Sequence, residues 1–136
     1  RLSDTLNSDP RMIRGRELFA VAAFDEAFAE FDDLIEEARN NGDVLASYQL
    51  AIYLRSIGAY LDSIVAAADL IQASGLGTLQ VPPFVGRLRY PDYYIDVIRP
   101  VAEERNIDPL LVLSLIRLES LFNTYATAAA GEKGLM

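Results

Sequence analysis

The sequence predicts an all-α protein, and three observations predict it. Apolar residues recur at spacings of three and four along most of the chain. No stretch alternates apolar and polar residues as a half-buried strand does. Capping residues, Pro and Asn-Gly punctuate the periodic segments where helices start and stop. Ser8-Asp9-Pro10 starts a helix expected to run to about Ala22, because a capping side chain is followed by Pro at the first helical position. A second helix is expected from Asp25 to Asn40, with Phe28, Phe31, Leu34, Ile35 and Ala38 on its inner face and Asn40-Asn41-Gly42 as its stop. A third is expected from Asp43 to Ile57, ended by Gly58-Ala59, and a fourth from Tyr60 to Ser74, with Gly75 beyond. Residues 75–91 hold Gly75, Gly77, Pro82, Pro83, Gly86 and Pro91 and read as a linker or extended arm at a domain boundary. Leu79, Val81, Phe84, Val85 and Leu88 indicate that this arm packs on something. Asp92 to Asn106 is helical with an expected break at Pro100. Asp108-Pro109 then starts a last helix reaching Ser120.

Composition removes much chemistry. The 136 residues include no Cys and no His, which excludes disulfides, thiol nucleophiles, the usual structural zinc sites and a Ser-His-Asp triad. Carboxylates remain as the main acid/base groups, with Lys and Tyr as weaker candidates. The net charge of −8, with Lys and Arg scattered, argues against nucleic acid as a partner, since phosphate neutralisation needs clustered cations. The short basic stretches Arg11–Arg16 and Arg87–Arg89 read as solvated surface. No apolar run is long enough for a transmembrane helix, so no such segment is expected. The chain begins at Arg1 without a signal-peptide pattern and reads as a fragment of a longer protein.

The first two hairpins repeat. Offset by 36 residues, Leu18–Phe24 lies over Leu54–Tyr60, Glu26 over Asp62, Ala27 over Ser63, and Leu34-Ile35 over Leu70-Ile71. A large residue, then small residues, then an aromatic entering the next helix is a pattern that lets antiparallel helices approach closely. The period is near the roughly 34 residues of tetratricopeptide repeats. Two such units leave apolar faces that further helices or a cap would cover.

The last helix carries the candidate chemistry. Leu110 to Ser120 is apolar nearly all round, which predicts a buried central helix. At about 100° per residue, Glu119 shares a stripe with Val112, Leu115 and Ile116, and Arg117 lies nearly opposite. A carboxyl on an apolar stripe at a helix C-terminus is held toward its protonated form by desolvation and by the helix dipole, as a general acid requires. The bland alternative is that Glu119 ends the buried part of the helix and reaches water, and spacing alone does not decide between the two.

From Tyr94 onward, with Asp108-Pro109 and the run from Leu110 to Asn123, the sequence resembles the soluble lytic transglycosylases, goose-type-lysozyme-like enzymes of the bacterial cell wall. The family's Glu-Ser pair falls on Glu119 and Ser120. Its Gly-x-x-Gly-Leu-Met-Gln motif falls on Gly131, Gly134, Leu135 and Met136, starting 12 residues past Glu119. Leu118 departs from a frequent Gln, Ala128 and Ala129 from frequent Ser and Pro, and Glu132 from a frequent Ala. The helices and Pro-rich arm upstream are similar to the α-superhelical region that precedes this domain in many members.

The resemblance implies residues 1–74 as tetratricopeptide-like repeats, 75–91 as a linker arm and 92–136 as the N-terminal part of a lysozyme-like domain, incomplete because the chain stops before the Gln of the second motif. It implies cleavage of the β-1,4 bond between N-acetylmuramic acid and N-acetylglucosamine in peptidoglycan with a 1,6-anhydro product. Glu119 would be acid and then base, Ser120 would orient substrate or carboxylate, and Leu135 and Met136 would line the cleft. No cofactor or metal is called for, and the place of action would be the bacterial cell envelope. The chain alone is expected to have little or no activity. The alternatives are a hydrolytic lysozyme, or a protein-interaction module of tetratricopeptide-like helices with a degenerate lysozyme-like part.

Overall fold

A computed structural model describes residues 1–126 and 134–136. Eight helices and no strand occur among these residues: α1 (Asp4–Ser8), α2 (Pro10–Ala20), α3 (Phe24–Asn40), α4 (Val44–Ile57), α5 (Tyr60–Ala73), α6 (Pro83–Arg89), α7 (Ile95–Glu104) and α8 (Pro109–Ser120). The protein is therefore all-α. The chain forms two compact units, Arg1–Arg89 and Tyr90–Met136.

In the first unit, α2 and α3 form one antiparallel hairpin and α4 and α5 a second. Their starts follow local chemistry. Asp9 accepts from the Arg11 N–H with Pro10 next to it, and Asp43 accepts from the Ala46 N–H. The two hairpin turns are the same device. Ala22 and Gly58 both adopt left-handed backbone, φ 62° and 86°. The N–H groups of Ala23 and Ala59 then donate to Leu18 O and Leu54 O, each at 2.9 Å, and α3 and α5 begin with an aromatic residue directly after. The 36-residue repeat of the sequence is thus a repeat of backbone geometry. Ala27 and its counterpart Ser63 are both fully buried, and the Ser63 hydroxyl donates to Ala51 O at 2.7 Å across the α4–α5 interface.

The core of this unit runs from Met12 through Phe31, Leu34 and Ile35 to Leu50, Leu54, Ala66 and Leu88. Gly15 on α2 faces Phe31 so closely that a Cβ there would sit 2.5 Å from the ring. The basic stretch near the N-terminus is not merely solvated: Arg11 pairs with Glu37 and Arg14 with Glu30, which ties α2 to the acidic side of α3.

Two short helices depart from the expected boundaries. α1 is a single turn capped by Ser3, and the Ser3 N–H donates to the Gln49 side chain on α4. Within the expected arm, Pro83–Arg89 is helical as α6, packs on α5 and buries Leu88 in the core. Pro83 at the first helical position favours this start, since its missing N–H would have no intrahelical acceptor there.

In the second unit α7 packs on α8. The expected break at Pro100 does not occur: α7 continues through it to Glu104. Pro100 sits inside this helix, where its fixed φ suits helical backbone and a single ladder bond is forgone.

Two measurements test this packing by urea unfolding. Ala22→Gly should stabilise the protein by about 1 kcal/mol and Gly58→Ala destabilise it by a similar amount, because both positions need φ above zero. Gly15→Ala should cost about 1–3 kcal/mol, the usual result of overpacking a closed core against a ring that has no room to withdraw.

Candidate functional site

The candidate residues cluster at the C-terminal end of α8. Asp108 caps the helix by accepting from the Leu110 N–H at 2.9 Å, and Pro109 occupies the first turn. The helix ends on Leu121 in left-handed backbone (φ 49°), followed by Phe122, also left-handed (φ 63°). Two consecutive bulky residues in this region carry strain, which persists only where surrounding packing over-determines the backbone. Here that packing is visible: Phe122 is almost wholly buried, and its ring meets Tyr93 edge to face at 5.5 Å between centroids.

The expected buried central helix is not what forms among the described residues. Leu113 and Ile116 are buried, while Leu110, Leu111, Leu115 and Leu118 are exposed, Leu118 by 79%. One helix, α7, cannot cover a cylinder that is apolar nearly all round. The buried side is set by the partners at hand. The Arg117 guanidinium lies 4.5 Å over the Tyr90 ring, which draws the Leu113, Ile116, Arg117 and Ser120 stripe inward.

Glu119 lies on the other side and is exposed. The apolar, desolvated surroundings expected for it are therefore absent, and the alternative in which the helix end reaches water is the one observed. The error has a physical cause: when almost every position is apolar, periodicity gives no direction to the buried face.

The end of α8 and the C-terminal residues meet. The Ser120 hydroxyl donates to Leu135 O at 2.9 Å, as well as to Ile116 O at 3.2 Å, and the Gly134 N–H donates to Ala126 O at 3.1 Å. Residues 134–136 are thus held beside the end of α8. Leu135 is half-buried against this end and Met136 is exposed. Gly131 and Glu132, the other positions singled out in the second motif, lie outside the described residues. Among the described residues no group of three or more acidic side chains could hold a metal ion. No helix among them is long and apolar enough to cross a membrane.

Sequence reasoning missed the aromatic and cationic support of this end, namely Tyr90 under Arg117 and Tyr93 against Phe122. The signal that could have found it is local. Three aromatics, Tyr90, Tyr93 and Tyr94, flank Pro91 just before a helix, and Phe122 lies two residues past the end of α8.

No protein-family model, no curated protein and no solved structure matches the chain.

Ser120→Ala removes a hydroxyl shared between the helix end and the Leu135 carbonyl. Stability should fall by about 0.5–1.5 kcal/mol. Hydrogen exchange at the Gly134 amide should accelerate, while the α3 amides stay unchanged.

Proposed function

We propose that the protein is a peptidoglycan lytic transglycosylase. On this reading residues 1–74 are tetratricopeptide-like helical repeats, and the unit from Tyr90 belongs to a lysozyme-like domain. One observation carries the reading. The Glu119-Ser120 pair and the Gly134-Leu135-Met136 segment, recognised as two motifs at the family's separation, are joined by the bond from Ser120 to Leu135 O. The identical turn geometry of the two hairpins supports the repeat part.

The chemistry assigned to Glu119 uses one carboxyl twice. Glu119 donates its proton to the glycosidic oxygen as the bond from that oxygen to the muramic acid C1 breaks. The muramic acid 6-hydroxyl oxygen then bonds to C1, and its proton passes to the Glu119 carboxylate, which restores the acid. Atoms balance without water, and the product carries a 1,6-anhydro ring. Since Glu119 is exposed, the desolvation that a general acid needs has to come from the bound glycan covering it. The exposed face of α8, with Leu115 and Leu118, is the surface against which a sugar ring would lie.

A second reading, a protein-interaction module, is favoured by a different feature. A wholly apolar groove of about 420 Å³ opens between Val44, Leu45 and Tyr48 of α4, Leu70 and Ile71 of α5, and Val81 and Val85 farther along.

The readings separate in a zymogram of the full-length protein against purified peptidoglycan, followed by mass spectrometry of the released muropeptides. Lytic transglycosylation gives ends lighter by one water than hydrolysis, and an interaction module gives no release. Glu119→Gln should reduce anhydro-product formation by at least the roughly 10²–10⁴-fold typical of general acid–base catalysis. Glu132→Gln should leave it near the wild-type rate. The reverse pattern would assign the wrong carboxylate.

A further inference from the structure

The repeat breaks its own symmetry at one position. Glu26, in the first turn of α3, is exposed, whereas its counterpart Asp62, in the first turn of α5, has no exposed surface at all. Neither carboxylate oxygen of Asp62 has a hydrogen-bond partner. The helix that carries it packs against α3, α4 and α6.

None of these helices supplies a counter-charge. Asp32 on α3 acts on Asp62, and it carries the same sign. The other acids of α3 (Asp25, Glu26, Glu30, Asp33, Glu36 and Glu37) add no cation, and Arg39 on that helix is engaged by Asp69 of α5 at 2.9 Å. α4 brings Arg55 with Tyr48 and Tyr53, and α6 brings Arg87 and Arg89, yet none of these groups acts on Asp62.

An ionised carboxylate enclosed without partners costs several kcal/mol, and such a group keeps its proton instead. We propose that Asp62 is a proton-controlled latch on the α3–α5 seam: as a neutral acid it lets the two hairpins close, and loss of its proton loosens them.

Burial, with Asp32 adding to it, pushes the Asp62 carboxyl up to about 8 from an ordinary value of 3.8. The sign follows. Between about pH 4 and about pH 8 the folded protein holds a proton that the unfolded chain has released. Stability therefore falls as pH rises through that window. The unfolding constant should grow roughly tenfold per pH unit, levelling off above about pH 8. Below about pH 4 both states are protonated and the group contributes nothing. Asp32, exposed on α3, is itself raised, first by partial burial and then by Asp33.

The test is carbon-detected NMR titration of the aspartate side chains in the wild-type chain, beside urea unfolding of wild type and Asp62→Asn from pH 5 to pH 9. The expected results are an Asp62 carboxyl midpoint near pH 8 and a pH slope that is steep in wild type and nearly flat in Asp62→Asn. Asp32→Asn should move the Asp62 midpoint downward, because the like charge across the seam is gone. A midpoint near pH 4 overturns the proposal on wild type alone, whether or not the variant folds. A wild-type slope retained in Asp62→Asn, or an Asp62 midpoint untouched by Asp32→Asn, overturns it as well.

Discussion

The first unit depends on how closely α3 can lie against its neighbours. Phe31 is fully buried at the place where a side chain on Gly15 would be, so α2 and α3 close only because residue 15 lacks a Cβ. The same helix presents Ala27 and Ala38 inward, small enough to keep neighbouring backbones near. Its outer side carries the acids that Arg11 and Arg14 engage from α2. Such exposed pairs add little energy individually, but they fix which side of α3 faces α2. The second hairpin can then stack on this helix, since α3 also packs against α4 and α5.

That dependence explains which parts of the fold were legible in the sequence. The hairpin turns were, because a left-handed residue followed by a small residue and an aromatic leaves a readable trace at Ala22-Ala23-Phe24 and at Gly58-Ala59-Tyr60. α1 and α6 were not. Five and seven residues are too few to show a period, and both helices draw their stability from tertiary contacts, Ser3 with Gln49 for one and Leu88 in the core for the other. Pro100 was over-weighted: proline inside a helix costs a ladder bond and crowds the preceding turn, but it need not end the helix, and α7 runs through it.

The candidate site was legible in its spacing and illegible in its orientation. Ser120 and Leu135 are joined by a hydrogen bond between a side chain and a backbone oxygen that sequence alone could not specify. Which way Glu119 points was decided by Tyr90 under Arg117 and by packing against α7, not by the pattern within α8. The strain at Leu121 and Phe122 left no trace in composition either, because neither residue type favours positive φ.

The two carboxyls singled out here invert the usual association between burial and function. A strongly perturbed acid in a cleft is ordinarily the better candidate for catalysis. Burial raises the Asp62 carboxyl, yet Asp62 is sealed between helices with no exposed surface, so no substrate reaches it in this conformation. Glu119 is accessible, beside a strained helix end and a fixed partner segment. Access is the first requirement for a carboxyl that exchanges a proton with a ligand, and an exposed carboxyl can be desolvated by what binds over it. The converse repair is not open to Asp62: a group already enclosed can meet a ligand only if α3 and α5 part. Its chemistry is therefore tied to the folding of the scaffold, and that of Glu119 to the occupancy of the site.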